Sequence, residues 1–119
     1  MNKMVLYSLL GMFLGITLLS ARSRASSAYD EGKSLYLSKC QICHGIKGEG
    51  NGPAAFALSP KPQNFTDPTF WQKDVEKKIT TTIAKGKGSM PAFQLKPGEI
   101  KALIYYMSHT FKPGSSSGT

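Results

Sequence analysis

The stretch Ser38-Lys39-Cys40-Gln41-Ile42-Cys43-His44-Gly45 decides how this chain is read. It holds both cysteines of the protein and one of its two histidines. Two thiols separated by two residues and followed at once by an imidazole suit four chemistries. A thioredoxin-like redox pair needs a strand running into a helix, and no strand pattern precedes Cys40. A structural zinc ion needs four ligands, and using every cysteine and histidine would force the neighbours Cys43 and His44 onto one ion. A simple disulfide suits an oxidising compartment but gives His44 and the glycines after it no purpose. The fourth chemistry is covalent haem attachment, for which Cys-x-x-Cys-His is the motif. Its spacing has a physical basis: two thiols at this separation can add to the two vinyl groups on one porphyrin edge. The next side chain then carries its imidazole to the iron. One haem c, covalent through Cys40 and Cys43 and ligated by His44, is the expected cofactor.

The composition sets the frame around this motif. With 119 residues and 40% hydrophobic content the chain has room for one domain, and long disorder is not the default. Two cysteines exclude a disulfide-dense scaffold, and no phosphate-cradling Gly-x-x-x-x-Gly-Lys run occurs. Lys3 is followed by an uncharged run, Met4 to Ala21, and then by the small-x-small sites Ser23-Arg24-Ala25 and Ser26-Ser27-Ala28. Residues 1–28 therefore read as a secretory signal peptide. The run also reaches the length of a spanning helix, so an uncleaved membrane tether through 4–21 is the alternative. Arg22 and Arg24, which resist export, favour that alternative. Either way the remainder is expected outside the cytoplasm, in the periplasm or on the outer face of the cytoplasmic membrane. Cleavage leaves roughly ninety residues, a size at which a protein core alone is marginal and a bound cofactor would help.

Residues 29–113 form the expected domain, and 114–119 a small, polar, flexible tail. Gly32, Leu35, Tyr36 and Cys40 share one face of a helix over Tyr29–Lys39. Ser27 would start a capping box for it if cleavage falls earlier in the chain. Gly45, Gly48, Gly50, Gly52 and Pro53 open a long loop, and Pro60 and Pro62 keep it extended. A short helical segment follows Asp67-Pro68. Asp74 can cap a helix whose apolar residues Val75, Ile79 and Ile83 recur every turn, with Gly86 as its stop. Pro97 opens the clearest helix, with the stripe Ile100, Leu103, Ile104, Met107 and Phe111. The fold class is all-α: three to five helices with long loops around one haem.

A haem iron has a sixth position, and Met90, Met107 and His109 are the candidates. Met107 belongs to an apolar stripe, and His109 lies off that stripe near a helix end. Met90 stands in a loop among Gly86, Gly88 and Pro91, serves no helical face, and is favoured over an open or His-ligated site.

With these features in view, the chain resembles the class I c-type cytochromes, and closely the bacterial single-haem type, over residues 29–112. Gly32, Tyr36 and Cys40 look like that family's N-terminal helix, and Leu103 and Tyr106 like the face of the C-terminal helix that crosses it. Gly88-Ser89-Met90-Pro91 looks like its methionine-ligand loop. The resemblance implies that the Pro53 carbonyl accepts the hydrogen bond of the proximal histidine, and that Asn64 and Trp71 hydrogen-bond the haem propionates. For Trp71, core packing is an equal reading.

The function this implies is one-electron transfer between redox partners outside the cytoplasm, by a monomeric carrier that is not itself an enzyme. The alternatives are a haem-bearing subunit of a membrane-associated oxidoreductase complex and a gas-binding protein with an open sixth site. Lys73, Lys77, Lys78, Lys85, Lys87, Lys96 and Lys101 make acidic docking surfaces the expected partners. Nucleic acid is not expected, because basic and aromatic residues do not interleave.

Overall fold

A computed structural model describes residues 3–115, with the side chains of 5, 6, 8, 9 and 13–22 outside the description. Helix α1 runs Lys3–Lys39, α2 is the single turn Gln41–His44, α3 spans Val75–Lys85 and α4 spans Pro97–Thr110. Two 3-10 turns, Ala55–Ala57 and Pro68–Phe70, punctuate the long loop between α2 and α3. No strand occurs among the described residues, so the all-α expectation holds.

The expected helix over Tyr29–Lys39 is the C-terminal part of a much longer one. Ser27 lies inside α1 and caps nothing, because no helix breaker separates it from the residues before. The Met4–Ala21 span falls mainly on side chains outside the description, as do residues 116–119 of the tail. Among the described residues no helix is long and apolar enough to cross a membrane.

The core forms where α1 crosses α4. A Cβ on Gly32 would collide with the Ala102 carbonyl and with Cβ of Tyr106, so only glycine lets the two backbones approach this closely. Around the crossing the α4 stripe is buried as its spacing predicts, with Leu103 2% and Met107 3% exposed. Tyr36 is fully buried, and its ring packs 4.9 Å from Phe111 and 5.6 Å from Tyr106. Its hydroxyl donates to the Gly45 carbonyl at 2.7 Å, which ties α1 to the start of the loop after α2. Burial pushes the phenol's pKa well above its ordinary value. Tyr36→Phe is expected to cost about 0.5–1.5 kcal/mol, because it removes a buried hydrogen bond while the Gly45 carbonyl still accepts from Gly48 N–H at 3.1 Å. A denaturant titration checks this, and an unchanged midpoint would show that the bond contributes nothing.

The shorter elements follow their local signals with one exception. The Asp67 carboxylate accepts from Thr69 N–H at 2.8 Å and starts the second 3-10 turn. Gly86, at φ 72°, ends α3 as expected. Glu99 accepts from Lys96 N–H at 2.6 Å at the start of α4. Asp74 departs from expectation: it takes a left-handed conformation, φ 64°, and its side chain makes no capping bond. The chain enters α3 from a tight turn, in which Val75 N–H donates to the Gln72 carbonyl at 3.2 Å.

Candidate functional site

The α1–α2 junction, the extended stretch 62–65, α3, the loop before α4 and α4 itself enclose one apolar cleft of about 790 Å³, open mouth included. Cys40, His44 and Met90 all line it. Residues far apart in sequence thus line one cleft.

Cys40 and Cys43 are both free thiols and half-buried. They are not joined to each other. Among the described residues no group of three or more His, Cys, Asp or Glu side chains could hold a metal ion, which disfavours zinc. Burial pushes the Cys40 thiol up to about 11, with Lys39 pulling it partly back. Cys40 is therefore a protonated, apolar wall residue at neutral pH.

His44 is buried in the cleft wall, and its ring stacks on Phe65 at 4.5 Å. Its Nδ1 lies 3.0 Å from the Gln63 carbonyl oxygen. A carbonyl can only accept, so Nδ1 carries the proton and Nε2 keeps its lone pair. No buried side-chain nitrogen lacks a partner among the described residues, so Nε2 retains access to the cleft. Burial lowers the imidazole's pKa below its ordinary value, and the Gln63 bond opposes this only in part. The outcome is a neutral imidazole in one tautomer with a ligating nitrogen free, as metal-binding histidines require.

The partner of Nδ1 corrects an expectation. Pro53, assigned that role by resemblance, is exposed and lines a shallow hollow on the outer side of α2. Its turn is held there because Gly52 N–H donates to Cys43 O at 3.0 Å and Ala54 N–H to Ile42 O at 2.9 Å. The inner position goes to Gln63. Phe65 N–H donates to Gly48 O at 2.6 Å, drawing the stretch after Pro62 against the glycine loop. At Gly50, φ 77°, a Cβ would press on the Pro62 carbonyl at 2.5 Å, so that loop admits the stretch only as glycine. Sequence reasoning missed Gln63 because it acts through its backbone, and its side-chain type carries no signal.

Asn64 and Trp71 do not line the cleft. Asn64 is exposed, and its Oδ1 accepts from Thr66 N–H at 2.9 Å and from the Thr66 hydroxyl at 2.7 Å. Trp71 donates its Nε1–H to the Phe65 carbonyl at 2.7 Å and rests edge-on against Phe70. Local turn chemistry thus engages Asn64, and packing engages Trp71.

Met90 is half-buried and sits in a two-bond turn. Lys87 N–H donates to Met90 O and Met90 N–H to Lys87 O, each at 3.0 Å. Phe93 N–H donates to Ile83 O at 2.8 Å and ties the loop to α3. Met107 also lines the cleft but is buried in the α4 stripe. His109 is exposed and directs Nδ1 to the Tyr105 carbonyl at 2.8 Å.

An apolar slot with the Cys40 thiol, a neutral imidazole and a thioether in its lining, and the half-buried Cys43 thiol three residues further along the chain, fits a covalently held haem. The family model described as cytochrome c oxidase, cbb3-type, subunit III matches residues 27–107. The chain is 31% identical over 80 residues to the cbb3-type cytochrome c oxidase subunit FixP of Bradyrhizobium diazoefficiens. That alignment covers 65% of this chain and spans about a quarter of the relative, 26% of its length. No solved structure matches the chain. Because the family match takes in the C-terminal part of α1, the whole cleft and most of α4, the chain belongs to the family described as cytochrome c oxidase, cbb3-type, subunit III, and is a c-type cytochrome that carries covalently bound haem c.

Proposed function

We propose that the chain is the haem-bearing, one-electron-transfer part of a membrane-associated oxidoreductase complex, working outside the cytoplasm. The observation that carries this is the presence of both His44 and Met90 in the lining of one apolar cleft, with the His44 tautomer held by Gln63. The relative's description as an oxidase subunit supports the complex over a free carrier.

When bound, the haem supplies a ferric/ferrous couple. Cys40 and Cys43 would anchor it, and the His44 imidazole and the Met90 thioether would hold its iron. Gln63 holds the imidazole in register and keeps its proton on Nδ1. The Met90 thioether and the apolar wall would both disfavour the additional positive charge of the oxidised state, and so would raise the potential. Burial of His44 and its bond to the Gln63 carbonyl would keep the imidazole in one place in either redox state.

The exposed lysines Lys73, Lys77, Lys85, Lys96 and Lys101 support a second reading, a diffusible carrier that docks on acidic partners. Fractionation of cells expressing the full chain separates the two. A complex subunit stays with the membranes and co-elutes with a terminal oxidase after detergent extraction, whereas a carrier is released with the soluble periplasm. The spectrum of the purified holoprotein tests the ligands common to both. A weak long-wavelength band in the oxidised state, lost on reduction, is expected from sulfur on ferric haem. Covalent haem without that band would remove Met90 as ligand and bring back the gas-binding reading.

A further inference from the structure

We infer that Lys78, with the Thr82 hydroxyl one turn further along α3, is the counter-group for a haem propionate. The inference rests on the haem reading above. A porphyrin tied to Cys40 and Cys43 through its vinyl edge presents its two propionate carboxylates on the opposite edge. Two anions then enter a cleft whose lining is mostly apolar, where an unpaired charge is costly.

The cleft holds the complement to them. No Asp or Glu lines it, and its cations are Lys39, Lys78 and Lys87. Lys39 immediately precedes Cys40 and so belongs to the anchored edge. Lys87 stands in the Met90 turn. Lys78 and Thr82 lie on α3, which packs chiefly on α4 rather than on the cysteine-bearing α1–α2 junction. They are four residues apart on one helix face, with Ile79 and Ile83 beside them in the same wall. The Lys78 ammonium lies 5.8 Å from the centroid of the Phe70 ring, a cation–π contact that holds the long side chain over the cleft before any anion arrives. An ammonium and a hydroxyl one turn apart can donate to the two oxygens of one carboxylate. Asn64 and Trp71, the earlier candidates, are engaged elsewhere, which leaves this task to α3.

The test compares holoproteins of wild type, Lys78→Gln, Lys78→Arg, Thr82→Val and Lys101→Gln. Lys101 is exposed on α4 and outside the cleft. Covalent haem is first verified by pyridine haemochrome, and its absence from wild type would overturn the haem reading and this inference together. The readouts are the propionate bending band in resonance Raman spectra and the reduction potential at low salt. Lys78→Gln is expected to move the propionate band and shift the redox equilibrium about tenfold toward the oxidised form, ~59 mV for one electron. Lys78→Arg restores both, Thr82→Val moves the band alone, and Lys101→Gln moves neither. A propionate band unchanged in both Lys78→Gln and Thr82→Val would overturn the inference, whatever the potential does.

Discussion

Met90→Ala is expected to convert the protein from one that ignores carbon monoxide to one that binds it, and to lower its reduction potential. The thioether is the sixth ligand under the proposed function, and alanine leaves that position to water or an added gas. The loss removes a weak donor that favours ferrous iron. The fall is expected on the order of 0.1–0.3 V, part of the roughly 0.8 V that axial ligation spans. The long-wavelength band of the oxidised spectrum disappears at the same time. The fold should survive, because Met90 is only half-buried and its turn is held by backbone bonds to Lys87. Met107 lines the same cleft, so Met107→Leu is the companion variant. It keeps the band and the potential if Met90 is the ligand. A Met90→Ala protein that retains both would assign the sulfur to Met107 instead.

Gly32→Val is expected to be the most destabilising single substitution in the helical core. Its side chain would have to occupy the space of the Ala102 carbonyl and the Tyr106 Cβ. Neither can rotate away, since one is backbone and the other is the root of a buried side chain. The helices must then separate, and the contacts of Tyr36, Leu103 and Tyr106 loosen with them. A loss of about 3 kcal/mol or more is expected, a large share of the ~5–15 kcal/mol that holds a small domain together. Urea titration of the holoprotein measures it. Gly98→Ala is the control: nothing lies within 4 Å of a Cβ there, in the first turn of α4. That change should be neutral or slightly stabilising, by up to about 1 kcal/mol. Equal midpoints for Gly32→Val and wild type would mean that the α1–α4 crossing is looser than described.

Both substitutions fall on residues that the sequence singles out. Gly32 is costly in a helix and sits on its apolar face, so a close crossing was the economical explanation. Met90 had no helical stripe to serve. Local rules also carried the stripe of α4, the stop at Gly86 and the cap at Asp67. They failed at Asp74, where the approach of the preceding turn overrode the side chain's capping preference. The roles that the resemblance implied for Pro53, Asn64 and Trp71 depended instead on which way a long loop folds back.

Chemistry written into contiguous residues was determined by the sequence alone: two thiols and an imidazole in five positions, the helical periods, and an apolar N-terminal run. These depend on covalent spacing and on local backbone preference, which act over a few residues. Only the tertiary structure decided which groups meet across the cleft. The Gln63 carbonyl reaches His44 because the glycine loop draws the stretch after Pro62 inward. Lys78 and Thr82 reach the cleft because α3 packs on α4. A backbone carbonyl has no side-chain signature, and one lysine among many on a basic surface has no mark of its own. Their places follow from long-range packing, to which each residue contributes only its share.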